Sequence, residues 1–176
     1  MRNYSVRTDE THYDVPATCE VRPARAEDIP RIAQFIRDLA AVESFPGAVT
    51  ANESDLETVL FGADAFARAL MVQVAGEAAG FALYYPTYST VTGRRGVHLE
   101  DLYVTERFRG RALGELLMRR LADLAWGTGG RLEWWVLQSN IDALRFYRRL
   151  GARDVSEIAV WRLADRPLDQ FANPEV

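Results

Sequence analysis

Downstream of Pro23, the apolar residues Ile29, Ile32, Ala33, Ile36, Leu39 and Ala40 recur every three or four positions, which predicts an amphipathic helix. Glu27 and Asp28 suit the positive end of that helix, and Pro30 is tolerated in its first turn. Just before it, T-C-E-V-R alternates as a short strand does. Pro46 and Gly47 break the helical pattern, and T-A-N-E at 50–53 has the form of a capping box opening a second short helix that runs through Leu60 and stops at Gly62. The runs A-L-M-V-Q-V-A and G-F-A-L-Y-Y-P-T-Y follow, joined by A-G-E-A, and predict a hairpin.

A polar, glycine-containing loop is expected over 89–96, and then the strand V-H-L-E-D-L-Y-V. That strand runs through E-R-F-R-G-R-A-L-G into a long helix marked by Leu113, Leu116, Leu117, Leu121, Leu124 and Ala125 and stopped by glycines at 127–130. R-L-E-W-W-V-L reads as a strand, N-I-D-A-L-R-F-Y-R-R-L as a helix closed by Gly151, and I-A-V-W-R-L-A as a last strand. Trp134 and Trp135 are neighbours on a strand and face opposite ways, so one of them is expected in the core. The order is mixed α/β (α+β) in a single domain over 17–176, preceded by a polar, flexible extension over 1–16.

Composition narrows the chemistry. With 48% hydrophobic and 26% charged residues the 176-residue chain can build one core. No apolar run reaches the roughly 18 residues that span a bilayer, and the first residues lack a secretory signal, so a cytoplasmic protein with no membrane partner is expected. One cysteine, Cys19, and two histidines, His12 and His98, leave no ligand set for a structural metal, and Cys19 reads as structural. A net charge of −4 argues against nucleic acid and suits a cationic substrate. All 21 basic residues are arginine, which points to a GC-rich, bacterial source.

The segment 97–115 carries the chemistry. A strand passes through a basic turn into a helix whose first amides have no partner within the helix, and a diphosphate suits them. Gly110 and Gly114 permit close approach, and Arg107, Arg109 and Arg111 add charge. E-R-F-R-G-R-A-L-G resembles the acyl-CoA diphosphate loop of the GNAT acetyltransferase superfamily, R/Q-x-x-G-x-G/A. Arg109 and Gly114 match, while Ala112 stands where that family usually has glycine, a methyl group that can be accommodated if φ stays negative. W-V-L-Q-S-N-I-D-A-L-R-F-Y-R-R-L-G-A is similar to the second GNAT signature, with Asn140 and Tyr147 in place. Both signatures occur in order, and V-R-P-A, H-L-E-D-L-Y-V and V-W-R-L-A bring the resemblance closest to the diamine (spermidine/spermine) acetyltransferase branch.

That resemblance implies a strongly bent mixed sheet flanked by helices, with a splayed pair of central strands, acetyl-CoA as cosubstrate, no metal, and a homodimer. It implies that backbone groups of Leu102, Tyr103 and Val104 pair with the pantetheine arm and the acetyl carbonyl. Arg109, Gly110, Arg111, Ala112, Leu113, Gly114 and Glu115 would hold the diphosphate, and Asn140 with the amides through Ala143 the pantetheine end. Tyr147 would protonate the departing thiolate. Glu100 would accept the proton of the amine, with Glu43, Glu100 and Asp101 facing the substrate. Glu100 and Asp101 are adjacent and point to opposite faces of a regular strand, so both reach one substrate only if a bulge re-aims one of them. Arg94 and Arg95, placed beside the acceptor channel, would disfavour a long polycation, which leaves a small primary amine: a short diamine or an amino-acid-like amine. Two other readings remain, a catalytically silent acyl-CoA-binding or regulatory domain and, least favoured, a nucleic-acid-binding module using the basic helix at 108–120.

Overall fold

The computed structural model describes residues 16, 18–44 and 47–173; most of the expected N-terminal extension lies outside the described residues. Two compact units divide the chain, Met1–Asn140 and Ile141–Val176.

The first unit is built on one sheet. Strands β1 (Cys19–Pro23), β2 (Arg68–Val74), β3 (Glu77–Ser89) and β4 (Arg94–Val104) run antiparallel in that order, and β5 (Leu132–Trp134) joins β4 in parallel. Ala75 and Gly76, both at positive φ, make the tight β2–β3 turn that A-G-E-A predicts. Half of the expected loop at 89–96 is strand: β3 and β4 stay paired to Ser89 and Arg94, leaving four turn residues between them. Cross-strand hydrogen bonding outweighs the polar composition there.

On one face of the sheet lie α1 (Ile29–Glu43) and α2 (Glu53–Phe61). Ile29, Ile32, Ala33 and Phe35 from α1 and Leu56 and Leu60 from α2 bury themselves against Met71, Phe81, Leu83 and Tyr103. Pro30 sits in the first turn of α1, as the sequence predicts. The capping box of α2 is two residues later than T-A-N-E suggests: Asn52 accepts from the amides of Ser54 and Asp55, and the Asp55 carboxylate accepts from the Asn52 amide. The amide oxygen of Asn52 and a carboxylate at the third helical position supply the reciprocal pair. On the other face α3 (Leu113–Gly127) buries Leu113, Leu117, Met118, Leu121 and Ala125.

Glycine sets the closed end of the β4–β5 pair. A Cβ on Gly96 would lie 2.8 Å from the Arg131 carbonyl oxygen and 2.7 Å from Thr87 Oγ1, and one on Gly130 would strike the Arg95 carbonyl. Beyond Trp134 the expected strand 131–137 ends early. The segment is half-exposed, and neither tryptophan is fully buried: Trp135 is 60% exposed, which corrects the expectation of a core tryptophan.

The second unit contains α4 (Ile141–Arg149), closed by Gly151 at φ +84°, and α5 (Asp165–Ala172). The strand expected over 158–164 is irregular backbone with Ile158, Val160, Trp161 and Leu163 exposed. Alternation alone does not make a strand; it needs a partner ladder, and none is formed there among the described residues.

Arg22 on β1 ties the start of α1 to the sheet. Its guanidinium donates to both carboxylate oxygens of Asp28, at 2.7 and 2.8 Å, and the Arg25 amide donates to the same group at 2.8 Å. Hydrogen bonding from Arg22 holds the Asp28 carboxyl below the ordinary carboxylate range, against the opposing effect of burial. Asp28→Asn should cost about 3 kcal/mol in denaturant unfolding, because it leaves Arg22 buried without its anion. A lowered folded-state pKa contributes stability above the unfolded value of about 3.9 and loses it as pH falls through the folded one. Unfolding midpoints of the wild type should therefore fall more steeply below pH 4 than those of the variant.

Candidate active site

The bulge that would turn both acidic residues of H-L-E-D to one side is present. Across β3 and β4, Leu83 pairs with Asp101 and Tyr84 with Leu99, so Glu100 is the extra residue. His98, opposite Tyr85, and Asp101, opposite Leu83, thereby share the face covered by α1. Glu100 lies on that face too, its carboxylate 3.9 Å from His98 Nε2 and hydrogen bonded to the Tyr85 hydroxyl.

The same residue marks where β4 and β5 part. Their parallel pairing covers only Val97 with Leu132, His98 with Glu133 and Leu99 with Trp134. From Glu100 onward β4 keeps β3 alone as its strand neighbour, so the edge of Leu102, Tyr103 and Val104 that faces away from β3 has no ladder partner. One acceptor on that stretch is taken: Arg109 Nε donates to the Val104 carbonyl at 3.0 Å.

Glu100 and Glu43 lie within electrostatic range of Asp101 beside this opening. Burial raises the Asp101 pKa to about 7, reinforced by the charges of Glu100 and then of Glu43 at the end of α1. Glu43 is held there by Asn140, whose Nδ2 donates to Glu43 Oε1 at 3.1 Å. The side-chain amide of Asn140, a residue expected at the pantetheine arm, links the turn after β5 to the acidic group.

Next to the carboxylates is a row of rings passed over in the sequence. Tyr85 stacks on His98 with centroids 4.9 Å apart, His98 meets Trp135 edge-on at 5.1 Å, and Phe66 leans on Tyr85 at 5.8 Å. The four residues come from four separate segments, and only the strand register reveals that they adjoin.

At the other end of β4, Thr105 and a short 3-10 turn (Glu106–Phe108) lead into Arg109, Gly110, Arg111 and Ala112. Gly110 has φ +75° with open space where a Cβ would be. Ala112 has φ +57°, in the left-handed region, which corrects the expectation of a negative φ. The chain must reverse into α3 there, and the geometry wins over the residue type. No side chain caps α3, and its first axial bond is from Leu116 N to Ala112 O, so the amides of Leu113, Gly114 and Glu115 point out of the helix end. Arg107 and Arg111 lie over the Phe108 ring, and Glu115 is drawn back by Arg119 at 2.9 Å. Donors, positive dipole and guanidinium groups together fit a diphosphate.

Arg94 and Arg95 are not beside the acidic group. They start β4, five or six residues before Glu100, roughly 17–20 Å at strand spacing, and Arg94 donates to the Gly129 carbonyl at 3.1 Å. Ala143 and Tyr147 lie on α4 of the second unit, where Tyr147 contacts Phe146 with ring centroids 5.2 Å apart.

The acetyltransferase (GNAT) family profile matches residues 34–152. The chain belongs to the GNAT family. It is 34% identical over 154 residues to a mouse thialysine N-epsilon-acetyltransferase, covering 82% of this chain and 90% of that relative. A human spermidine/spermine N(1)-acetyltransferase-like protein 1 is 32% identical over 152 residues, covering 82% of this chain and 22% of that longer protein. Among solved structures, an integron cassette protein of V. cholerae superposes with TM-score 0.73 at 23% identity, over 88% of this chain and 98% of that one, which shows the shared fold. The GNAT assignment and the diamine-acetyltransferase resemblance read from the two signatures are borne out, and with them an N-acetyltransferase as the kind of enzyme.

Within this GNAT chain, Ala112 carries a strain of about 1 kcal/mol that glycine would not. Ala112→Gly should raise the melting temperature by a few degrees and leave the affinity for coenzyme A equal or tighter; a fall in both would show that the methyl group makes a favourable contact. Asp101 yields a pH test of opposite sign to Asp28. Its folded pKa of about 7 lies above the unfolded value of about 3.9, so stability declines as pH rises between those values. Asp101→Asn should flatten that decline and be the more stable protein at pH 8, by on the order of 2 kcal/mol.

Proposed function

We propose that this protein transfers the acetyl group of acetyl-CoA directly to a small primary amine, a short diamine or an amino-acid-like amine, using Glu100 and Asp101 as the proton-handling pair. The observation that carries the proposal is the coincidence at Glu100 of the β-bulge and the parting of β4 from β5, which sets acidic side chains against an open strand edge. The names of the mouse and human relatives, acting on thialysine and spermidine or spermine, support an amine acceptor.

Acetyl-CoA supplies the activated acyl group as a thioester. The diphosphate is held by Arg109, Gly110, Arg111, Ala112 and the outward amides of Leu113, Gly114 and Glu115, whose geometry suits an anion. Main-chain groups of Leu102 and Tyr103 on the open edge line the thioester arm, and by the GNAT resemblance Asn140 and the Ala143 amide would bind its pantetheine end. An alkylamine with pKa of about 10 arrives protonated. Glu100, directly or through water, takes that proton; Asp101, with its pKa near 7, receives it at neutral pH. The nitrogen lone pair then forms the C–N bond, the C–S bond breaks, and the Tyr147 hydroxyl gives its proton to the sulfur. The mechanism needs no enzyme nucleophile. Arg94 and Arg95, now placed at the far end of β4, no longer bear on the choice of amine.

A homodimer in a bacterial cytoplasm completes the proposal, supported by family analogy and by the arginine-only basic composition. Among the described residues no helix is long and apolar enough to cross a membrane, and no three potential ligands cluster as for a metal.

Acetyl-CoA-dependent thiol release should be measured with diamines, polyamines, lysine analogues and aminoglycosides. Glu100→Gln should lower kcat/KM for the best amine by about 100-fold, with the loss shrinking as pH approaches the amine pKa. Tyr147→Phe should lower kcat at least tenfold at unchanged KM for acetyl-CoA; little loss would remove Tyr147 from the mechanism. Binding of acetyl-CoA without turnover across the whole panel would favour the silent-domain reading.

A further inference from the structure

Two charged side chains at the start of β5 take no part in the chemistry at Glu100, yet they face the same way. Glu133 is the register partner of His98, and paired residues of neighbouring strands share a face of the sheet. By alternation Arg131 lies on that face as well, and two contacts agree with this placement. The Cγ of Arg131 is 3.5 Å from where a Cβ on Gly96 would stand, with Thr87 Oγ1 at 2.7 Å from the same point. Trp135, two residues past Glu133, meets the His98 ring edge-on at 5.1 Å. A cavity of about 170 Å³ adjoins, with Thr87, Ser89, Gly96 and Arg131 in its lining. Arg94 borders it too, but is turned to the Gly129 carbonyl.

Arg131 Nε and Glu133 Oε2 are 2.5 Å apart, and the two side chains are 55% and 36% exposed. That contact uses one edge of the guanidinium and one carboxylate oxygen. A guanidinium has five donors in a fork and a carboxylate has two oxygens, so the pair can take a further anion and a further cation together. An α-carboxylate beside an α-ammonium, the head of an amino acid, is the matching ligand. A second ammonium alone matches less well, because Arg131 already offsets the charge of Glu133. The spacing also suits. Glu133 is two residues along the sheet from Glu100 and one strand across, roughly 8 Å between Cα positions. A four-carbon side chain carries its end amine roughly 6 Å from its own α-carbon, counting bonds of about 1.5 Å. The two glutamate side chains close the difference.

We propose that Arg131 and Glu133 are a specificity-determining subsite for the head of the acceptor, Arg131 receiving an α-carboxylate and Glu133 the adjacent α-ammonium. The enzyme then takes a basic amino acid by its side-chain amine, in preference to the diamine of the same length. This rests on the amine-acetyltransferase reading and chooses the amino-acid-like amine within it.

L-Lysine and 1,5-diaminopentane are matched acceptors, identical but for the carboxylate. Wild-type enzyme should show at least tenfold higher kcat/KM for lysine, the contribution of about one charge-assisted contact. Arg131→Ala should raise KM for lysine at least tenfold, leave the KM for acetyl-CoA within twofold, and leave 1,5-diaminopentane unchanged or improved. Arg131→Lys, which keeps the charge without the fork, should restore part of the preference. Glu133→Gln should weaken lysine but not 6-aminohexanoate, which lacks the α-ammonium. The pair is exposed enough that these variants should keep the wild-type melting temperature within a few degrees. Calorimetric titration of the same amines in the presence of coenzyme A reads the ranking without turnover. A preference for lysine that Arg131→Ala abolishes in binding, with no acetyl transfer to any amine, would overturn the enzymatic reading and leave the subsite standing. Equal binding of lysine and 1,5-diaminopentane, equal losses for both in Arg131→Ala, or no binding of either would overturn the subsite. Acetylation of an amine in those cases would leave the enzymatic reading intact.

Discussion

One surplus residue in a β-ladder organises this site. Were β4 regular beyond His98, Glu100 would face α1 with it while Asp101 projected into the α3 side of the sheet, and the two carboxyl groups could not act together. The bulge gives up one rung of pairing with β3 and turns both to the α1 side. Where the bulge lies, β5 also lets go of β4, so the cost of broken pairing on the two edges falls at a single point. Backbone left without a ladder there is the strand edge that a thioester arm can approach.

The electrostatic consequence is local. Burial, and then the like charges of Glu100 and Glu43, make ionisation of Asp101 unfavourable, so it holds its proton up to about pH 7. Asn140 takes one oxygen of Glu43, which fixes the end of α1 against the turn that follows β5. The acidic patch is thus assembled from α1, β4 and a loop, and its geometry depends on all three staying in place. Arg22 and Asp28 at the opposite end of α1 anchor the same helix to the sheet.

Much of this was legible along the chain, and the reasons differ by element. Helices α1 and α3 were visible because their buried residues repeat at helical spacing, and the basic turn before α3 because glycine, arginine and a helix start fall together. The acidic pair H-L-E-D was visible as chemistry, with its need for a bulge. The bulge itself was not, because register depends on partners distant in sequence. For the same reason the Tyr85, His98 and Trp135 row escaped notice, since each residue is unremarkable in its own segment. The left-handed Ala112 misled through residue type: alanine seldom adopts positive φ, and the turn into α3 imposes it. The strand expected over 158–164 misled through pattern, and the one over 131–137 in its length, because an apolar pattern carries no information about where a neighbour is present.

The glycines at the closed end of the β4–β5 pair give the cleft its pivot. Gly96 and Gly130 let the two main chains touch where any side chain would wedge them apart. Like scissors riveted at one end, the strands can differ in separation only beyond the rivet. The width of the mouth near Glu100 is therefore set by an angle fixed several residues away, by atoms that meet neither acetyl donor nor amine.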